Sequence, residues 1–360
     1  MKRRGLLAGL TCLALLFGGP ARAAEATWQL RIASPDLSAG TTPSGGPLID
    51  LLYSRHLIED AFAAEGVSVQ WHFFKGAGPL INEALSNQQL DVAFLGDLAS
   101  IIGRAGGLQT RLLMATGRAT TGYLGVLPGS GIQRIADLKG KRVGILRGTA
   151  DHLALVSVLA SAGLSERDVQ LINLDFNAVN AALAARQIDA TWAPSRILGL
   201  KAQGLIDVPL DSRSLDGLGT NQGGLIVTQA LLDAHPEAAT RLASVVAKAL
   251  DWLSRESNRQ AQIDLAARQS GYPPAVFAQA LEGGDLRFIY SPLLDPYYRD
   301  TLERDVQQAA EAHLIRRRFS VVDWLAPTYL DQALQQTGLA NAWQSASHYR
   351  WAAAPEPKTP

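Results

Sequence analysis

The sequence predicts an α/β protein with two lobes, each containing a mostly parallel sheet flanked by helices, and with two hinge crossings between the lobes. Strands alternate with helices through residue 208, which is typical of sheets that carry helices on both faces. Two apolar strands surround a polar, glycine-punctuated break at 110–127, which predicts the first crossing. A polar run at 221–224 precedes another apolar strand and predicts the return crossing.

The domain organisation follows from these two crossings. We assign residues 27–115 together with 226–345 to lobe 1, and residues 122–220 to lobe 2. The chain is expected to be largely helical from Gln229 onward. The final residues, 352–360, are rich in alanine and proline, and we expect them to be a disordered tail.

The N-terminal segment has the features of a signal peptide. Lys2-Arg3-Arg4 precedes an apolar run, and Ala21-Arg22-Ala23 places small residues where a signal peptidase cleaves. We therefore expect residues 1–23 to be a signal peptide and the protein to be exported. The single cysteine, Cys12, lies inside this segment, so the mature chain is expected to contain no thiol and no disulfide.

The charge and the missing motifs exclude several classes of function. Removing residues 1–23 takes away four of the 33 basic residues and none of the 33 acidic ones, which leaves a net charge of −4. No basic field then attracts nucleic acid or an anionic membrane surface. The six histidines never occur at the i, i+4 spacing of a zinc-binding helix, and no nucleophile elbow or Walker loop is present. We expect no metal and no cofactor.

The first strand, turn and helix unit predicts an anion site. Val67 to Phe74 is a β-branched and aromatic run, and apolar residues from Leu80 onward repeat at helical spacing. Between them, the turn Gly76-Ala77-Gly78-Pro79 leaves backbone N–H groups uncovered at a helix start, where anions bind. Gly-x-Gly also begins the dinucleotide fingerprint, but its third glycine position is occupied by Ile81.

Two further units repeat this arrangement. A short apolar strand ends at Gly96-Asp97, with Asp97 as the predicted N-cap of the next helix. The strand that begins at Arg142 leads into Gly148-Thr149, with Thr149 as the predicted N-cap. Near the end of the first strand, Thr41 and Thr42 occupy a loop at the sheet edge where α/β proteins bind ligands.

A set of short motifs follows a fixed order along the chain: Gly76-Ala77-Gly78-Pro79, Glu83-Ala84-Leu85, Asp91-Val92-Ala93-Phe94, Gly96-Asp97, Gly106-Gly107, residues 135–143 and Gln187-Ile188-Asp189-Ala190. Together they resemble the substrate-binding proteins of ABC importers for sulfonates, taurine and nitrate, and most closely the aliphatic-sulfonate branch. The resemblance extends more loosely to about residue 335.

The resemblance implies a type II periplasmic binding protein fold and a periplasmic location. It also implies a monomer without catalytic activity, which captures a small organosulfur anion, a sulfonate or a sulfate ester, for a membrane permease and ATPase. Nitrate or a thiamin precursor is the alternative ligand within the family. The enzyme alternative on the same fold is a thiamin-pyrimidine synthase, but the cysteine-rich iron motif of that family has no counterpart here.

Further candidate contacts come from the crossing and from the resemblance. Arg118 and Thr121 lie in the predicted first crossing, where a guanidinium could pair with an oxyanion, and Arg147 is a supplementary candidate. Trp192 is similar in position to a tryptophan of the family. The complete candidate ligand-binding set is Thr41, Thr42, Gly76, Gly78, Gly96, Asp97, Arg118, Thr121, Gly148, Thr149 and Trp192.

The helix starts at Gly78, Asp97 and Thr149 come from both predicted lobes. An anion that bridges them would favour a closed state through contacts that the open state lacks. On this hypothesis, replacing Gly78 by valine abolishes binding without unfolding the protein, and Trp192 fluorescence changes on saturation if Trp192 lines the cleft.

Overall fold

A computed structural model describes residues 28–349 of the chain. The predicted signal peptide, with Cys12, and the predicted tail at 352–360 lie outside the described residues. The strands are β1 (Trp28–Pro35), β2 (Val67–Phe74), β3 (Val92–Gly96), β4 (Thr110–Thr120), β5 (Tyr123–Val126), β6 (Arg142–Ile145), β7 (Gln170–Asn173), β8 (Ala190–Ala193), β9 (Asp207–Asp211) and β10 (Asn221–Thr228).

The helices of the first half connect these strands, and those of the second half follow β10. The α-helices are α1 (Pro47–Ser54), α2 (Leu57–Phe62), α3 (Ala77–Ser86), α4 (Asp97–Ala105), α5 (Ala150–Ser161), α6 (Phe176–Ala184), α7 (Leu198–Ala202), α8 (Gln229–Ala234), α9 (Pro236–Leu253), α10 (Arg259–Ser270), α11 (Pro274–Leu281), α12 (Leu286–Ile289), α13 (Pro296–Glu311), α14 (Val321–Trp324) and α15 (Pro327–Thr337).

Ten strands form two separate five-stranded sheets, one in each lobe. The strand order is β2-β1-β3-β10-β4 in lobe 1 and β7-β6-β8-β5-β9 in lobe 2. In each sheet one strand, β10 or β5, pairs antiparallel with both of its neighbours, and the others share one direction. The predicted two-lobe α/β fold is therefore confirmed, and each sheet is mixed, with a single reversed strand.

The crossings between the sheets are shorter than the sequence suggested. β4 continues through Thr120 before β5 begins at Tyr123, and β10 already begins at Asn221. Thr120 pairs with Asn221 in register, so hydrogen bonding between β4 and β10 extends the lobe 1 sheet up to the hinge. Glycine and threonine interrupt the apolar pattern at both crossings, so the sequence predicts loops where the structure has strand.

Alternating side chains along each strand fill a core on both faces of its sheet. In β3, Val92 and Phe94 belong to one buried cluster, and Ala93 and Leu95 belong to another. In lobe 2, Trp192 of β8 lies in one cluster while the next residue, Ala193, lies in the second. Since successive strand side chains point to opposite faces, both sheets are covered by helices on two sides.

Direct contacts hold the two lobes together across the cleft. The Asn177 amide donates to the Ser38 carbonyl oxygen at 3.1 Å. A second contact joins α5 to α13, where the Ser157 hydroxyl donates to the side-chain oxygen of Gln308 at 2.5 Å. The two lobes are therefore in direct contact, and we refer to this as the closed arrangement.

Candidate functional site

A cavity of about 370 Å³ lies between the lobes. It is at the sheet edges where strands end and the following helices begin. Ligand pockets of proteins typically measure roughly 300–1,000 Å³. One region of the cavity lining is polar and includes Gly78, Ala150 and Arg196. We call this the polar end. The remainder extends among the helices that follow β10.

Two helix starts, one from each lobe, meet at the polar end. α3 of lobe 1 begins at Ala77, and α5 of lobe 2 begins at Ala150. Among the described residues, the backbone N–H groups of Gly78 and Ala150 have no hydrogen-bond partner. A Cβ atom built on Gly78 would lie 3.4 Å from the carbonyl oxygen of Gly148, so the two turns are in close proximity. Such free N–H groups attract negative charge.

Arg196 is the only basic residue among the described residues that line the cavity. It follows β8 by three residues, and its side chain is 9% exposed. The guanidinium donates to the carboxylate of Asp151 and stacks over the ring of Phe176, 4.2 Å from the ring centroid. The Nε atom of Arg196 is buried and has no partner among the described residues.

Asp151 links Arg196 to β10, the strand that begins at the hinge. Its second oxygen accepts a 2.7 Å hydrogen bond from the Asn221 amide at the start of β10. Both oxygens of the Asp151 carboxylate are therefore engaged by donors from Arg196 and Asn221. The arrangement holds the guanidinium of Arg196 beside the start of α5 and compensates the buried carboxylate.

Two further side-chain donors belong to lining residues. The buried Thr121 hydroxyl interacts with the Tyr123 hydroxyl, and the buried Gln222 amide interacts with the Tyr297 hydroxyl. The donors of the polar end that remain free among the described residues are the N–H groups of Gly78 and Ala150 and the Nε atom of Arg196. Such a set of donors suits an anion better than a cation.

Four residues of the predicted set line the cavity. They are Gly78, Gly96, Thr121 and Thr149. The seven others, which the structure places outside the lining, are Thr41, Thr42, Gly76, Asp97, Arg118, Gly148 and Trp192. Arg196, the start of α1 and the apolar residues of α10–α12 line the cavity without having been predicted.

Arg118 is enclosed in lobe 1 instead of facing the cavity. Its side chain is fully buried, and Nη1 donates to the Asp295 carboxylate at 2.9 Å. The guanidinium also lies within 5.5–5.9 Å of the ring centroids of Phe288, Tyr297 and Tyr298. Arg118 therefore ties β4 to the start of α13, and its charge is already neutralised.

Trp192 contacts both crossings and not the cavity. The indole Nε1 donates to the carbonyl oxygen of Gly219 at 2.9 Å, and the side chain is 1% exposed. A Cβ atom on Gly122, in the other crossing, would lie 2.2 Å from that same nitrogen. Trp192 is thus a packing residue of the hinge, so a fluorescence change on binding would report hinge motion.

The other predicted residues outside the cavity have local structural roles. Thr41 and Thr42 lie on an exposed loop, and Gly76 precedes the first residue of α3. Gly148 has a φ of +79°, and its N–H donates to Nδ1 of the buried His152 at 3.1 Å. The supplementary candidate Arg147 is partly exposed and pairs with Glu166. Glycine at 148 provides the left-handed turn that α5 requires.

Asp97 is the first residue of α4, with Gly96 as the N-cap, and not the N-cap itself. One carboxylate oxygen accepts from the N–H of Leu98, and the other accepts from the N–H of Gln222 at 2.7 Å. Burial raises the pKa of Asp97 to about 7, with a smaller contribution from the charge of Asp151. Asp97 therefore fixes the hinge strand β10 against α4 beneath the cavity.

We expect stability to fall as pH rises from about 4 to 7, in part because of Asp97. Its pKa is about 7 in the folded protein, against roughly 4 for an unfolded aspartate. A carboxyl group whose pKa is higher in the folded protein than in the unfolded chain contributes to the free energy of unfolding. This contribution is complete at pH values below the unfolded-state pKa and is lost as the pH rises through the folded-state pKa. The free energy of unfolding from urea titrations at several pH values measures this effect.

The Asp97→Asn variant should show a smaller loss of unfolding free energy between pH 4 and 7. Asp50, whose pKa burial raises to about 7, and Asp305, whose pKa is raised by burial and by the charge of Asp97, retain part of the dependence in the variant. The same pH dependence in the variant and the parent protein would show that Asp97 does not titrate in this range.

Replacing Thr149 by alanine is expected to cost about 1 kcal/mol of stability and to change ligand affinity little. Thr149 is the N-cap residue of α5, but its hydroxyl donates to the Leu146 carbonyl oxygen at 2.7 Å and makes no cap hydrogen bond. Urea unfolding and ligand titration measure the two effects, with Thr149→Ser as a control that keeps the hydroxyl. A loss of affinity larger than about tenfold would place the hydroxyl on the ligand.

Gly78 lines the cavity, but the structure gives a different reason for glycine there. A Cβ atom at Gly78 would lie 2.3 Å from the Cβ atom of Ala99. Valine would therefore disrupt the packing of α3 on α4 in addition to any effect on a ligand. This geometry therefore does not support the prediction that Gly78→Val abolishes binding without unfolding the protein.

Residues 28–349 contain neither a metal-binding cluster nor a helix suited to cross a membrane. No group of three or more histidine, cysteine or acidic side chains is placed to hold a metal ion. Within the same residues, no helix has the length and apolar character needed to cross a membrane.

The family of the chain is established by a sequence match that includes both crossings and every strand from β2 to β10. The sequence model of the family described as NMT1/THI5 like matches residues 60–258, which is more than half of the chain. The chain belongs to the NMT1/THI5-like family.

Curated relatives of the chain carry the names of binding proteins. A Brucella abortus protein, provisionally named a binding protein, is 28% identical over 196 residues, which are 53% of this chain and 59% of that protein. The match thus spans less than two thirds of the Brucella relative. A Bacillus subtilis protein, provisionally named as binding aliphatic sulfonates, is 28% identical over 72% of this chain and 77% of its own length.

Solved structures confirm the fold. A sulfonate-binding protein SsuA from Methylobacillus flagellatus superposes with a TM-score of 0.77 at 24% identity, over 90% of this chain and 99% of that protein. The alkanesulfonate-binding protein SsuA from Xanthomonas axonopodis, bound to MOPS, superposes with a TM-score of 0.69 at 25% identity. The match covers 83% of this chain and 98% of that protein. The desulfurization enzyme DSZB superposes with a TM-score of 0.64 at 20% identity, over 86% of this chain and 99% of that protein. The fold therefore also occurs in an enzyme.

Proposed function

We propose that this protein is the substrate-binding component of an ABC importer and captures a small organosulfur anion, a sulfonate or a sulfate ester. It acts in the periplasm as a monomer and delivers the anion to a membrane permease and ATPase. The family, and relatives named for sulfonates, support this class of ligand. The predicted signal peptide supports the location.

The observation that carries the proposal is the convergence of donors from both lobes. The free N–H groups of Gly78 and Ala150 and the guanidinium of Arg196 lie at one end of a cavity that is otherwise mostly apolar. A sulfonate has three oxygens and one negative charge, so it can accept hydrogen bonds from all three groups. Charge-assisted hydrogen bonds of this kind are the stronger ones in proteins.

Binding and closure are coupled in this proposal. Gly78 belongs to lobe 1, whereas Ala150 and Arg196 belong to lobe 2. An anion in contact with all three is bound more tightly by the closed arrangement, and it therefore shifts the population toward that arrangement. A permease could then distinguish loaded from empty protein by the closed shape.

We assign no catalytic activity to the protein. The described residues contain no cysteine, and no histidine or lysine is among the described residues that line the cavity. The Ser44 hydroxyl of the lining donates to the Asp50 carboxylate at 2.9 Å, and the same carboxylate accepts from the Gly45 N–H, so this pair holds the turn before α1. Asp151, the only acidic residue of that lining, has both oxygens engaged. Capture and release of an unchanged ligand is the chemistry that this arrangement supports best.

Isothermal titration of the purified mature chain tests the proposal. The ligands are methanesulfonate, octanesulfonate, 2-naphthalenesulfonate, 2-naphthyl sulfate, taurine, sulfate and nitrate. Binding of at least one sulfonate or sulfate ester, recovered unchanged afterwards, is the expected result. Binding of nitrate alone would replace the proposed ligand, and conversion of a ligand in the same mixture would show an enzyme. Absence of binding to all sulfonates and sulfate esters would overturn the proposed function.

A further inference from the structure

The apolar part of the cavity is a chamber lined mainly by residues of lobe 1. Its walls come from β3 and from the helices after β10, and its main residues are Phe94, Ile263, Ala266, Phe277, Leu281 and Ile289. Five of these six belong to or pack against one hydrophobic cluster, and Ala266 lies on the same helix as Ile263. We use the name apolar chamber for this region.

The chamber continues directly from the polar end, so both belong to one cavity. All of the chamber residues named above are uncharged, and Arg196 and Asp151 are the charged residues in the described lining. An anion held at the polar end would therefore place its carbon portion among aromatic and aliphatic side chains. Burial of apolar surface there is favourable by roughly 25 cal/mol per Å².

We propose that the carbon portion of the ligand is a bulky apolar group, an aryl ring system, which occupies the apolar chamber. The ligand class is then an arylsulfonate or an aryl sulfate ester, and not a small zwitterion such as taurine. This inference rests on the proposed function and specifies the substrate class of the same site.

Aromatic side chains favour a ring over a flexible chain. Phe94 and Phe277 line the chamber, and Tyr290 lies beside them with 6% exposure. Edge-to-face contacts between rings add to simple area burial. The Tyr290 hydroxyl makes no hydrogen bond within the described residues, so a polar ring substituent could be accommodated near it.

Taurine lacks a partner for its ammonium group in this cavity. A carboxylate is the strongest protein partner for an ammonium group, and Asp151 is the only carboxylate in the described lining. Both Asp151 oxygens already accept hydrogen bonds, from Arg196 and from Asn221. Burying an unpaired charge among apolar side chains is unfavourable, so the chamber selects against zwitterions.

Titrations with matched ligands test the inference on the unmodified mature protein. We expect 2-naphthalenesulfonate to bind at least about tenfold more tightly than methanesulfonate, and affinity to rise up to about fourfold per methylene in the alkanesulfonate series. 1-Propanesulfonate, which has the same number of heavy atoms as taurine, should bind more tightly than taurine. Comparison of the affinities for 2-naphthyl sulfate and 2-naphthalenesulfonate shows whether the protein prefers the sulfate ester or the sulfonate.

A pair of variants on α11 locates the effect in the chamber. Ala280 lines the cavity, whereas Ala278 on the same helix is exposed. Ala280→Leu should lower the ratio of naphthalenesulfonate to methanesulfonate affinity at least about fivefold, because the added side chain occupies chamber volume. Ala278→Leu should leave every affinity unchanged, and melting temperatures without ligand verify that both variants fold.

The outcomes separate this inference from the proposed function. Tighter binding of taurine or methanesulfonate than of naphthalenesulfonate would overturn the inference and leave sulfonate capture intact. An unchanged ratio in a folded Ala280→Leu variant would likewise overturn it. Absence of binding to every sulfonate and sulfate ester would overturn the proposed function itself.

Discussion

Replacing Gly96 by alanine is expected to weaken ligand binding about 5- to 150-fold while leaving each lobe folded. A Cβ atom at Gly96 would lie 2.7 Å from the Cβ atom of Ala150, which is a lobe 2 residue on the other side of the cleft. Inside lobe 1 its nearest neighbour is the Gln222 carbonyl oxygen at 3.7 Å, which is ordinary contact. The clash therefore opposes closure, at a cost of roughly 1–3 kcal/mol for overpacking.

The backbone at Gly96 tolerates the substitution. Its φ of −72° and ψ of 164° are extended values that alanine adopts without strain. Gly40→Ala is a matched control, because a Cβ atom there has no neighbour within 4 Å. Affinity comes from isothermal titration, and closure from the radius of gyration in X-ray scattering with and without ligand. Unchanged affinity and unchanged compaction in Gly96→Ala would contradict coupling between closure and binding.

Replacing Arg196 by glutamine is expected to weaken binding about 10- to 150-fold. The variant removes the only basic side chain in the described lining and with it a charge-assisted hydrogen bond, which contributes roughly 1.5–3 kcal/mol. Arg147→Gln is the matched control on the same lobe, since Arg147 lies outside the lining and pairs with Glu166. The control should leave ligand affinity unchanged.

The Arg196 variant also leaves the Asp151 carboxylate without its partner, and that charge would repel an anion. The double variant Arg196→Gln with Asp151→Asn separates the two effects. We expect it to recover part of the lost affinity and not all of it. Complete recovery would show that Arg196 acts only by neutralising Asp151 and does not contact the ligand.

The fold could be predicted because its signals are local. The units β2–α3, β3–α4 and β6–α5 each consist of a strand, a small-residue turn and a helix, and the hydrophobic period and the glycines predict them. The turns at Gly78, Gly96 and Thr149 reach the cavity because the carboxyl ends of parallel strands share one edge of a sheet. Because of this rule, the turns that line the cavity could be predicted from their positions after strands, without knowledge of tertiary contacts.

Residues whose role depends on a distant partner could not be assigned in this way. Arg118 and Asp295 are 177 positions apart, and nothing around Arg118 indicates that the carboxylate will neutralise it. Arg196 could have been noticed as the first basic residue after β8, at the same sheet edge as Thr149. The apolar chamber had no local signal, because its walls combine Phe94 with helices about 170 to 195 residues further along the chain.

The most direct test is a crystal structure of the mature protein with 2-naphthalenesulfonate bound. We expect the sulfonate oxygens to accept hydrogen bonds from the N–H groups of Gly78 and Ala150 and from Arg196, with the ring system between Phe94 and Phe277. A sulfonate bound away from both helix starts, or bound outside the cavity between the lobes, would contradict the proposed site.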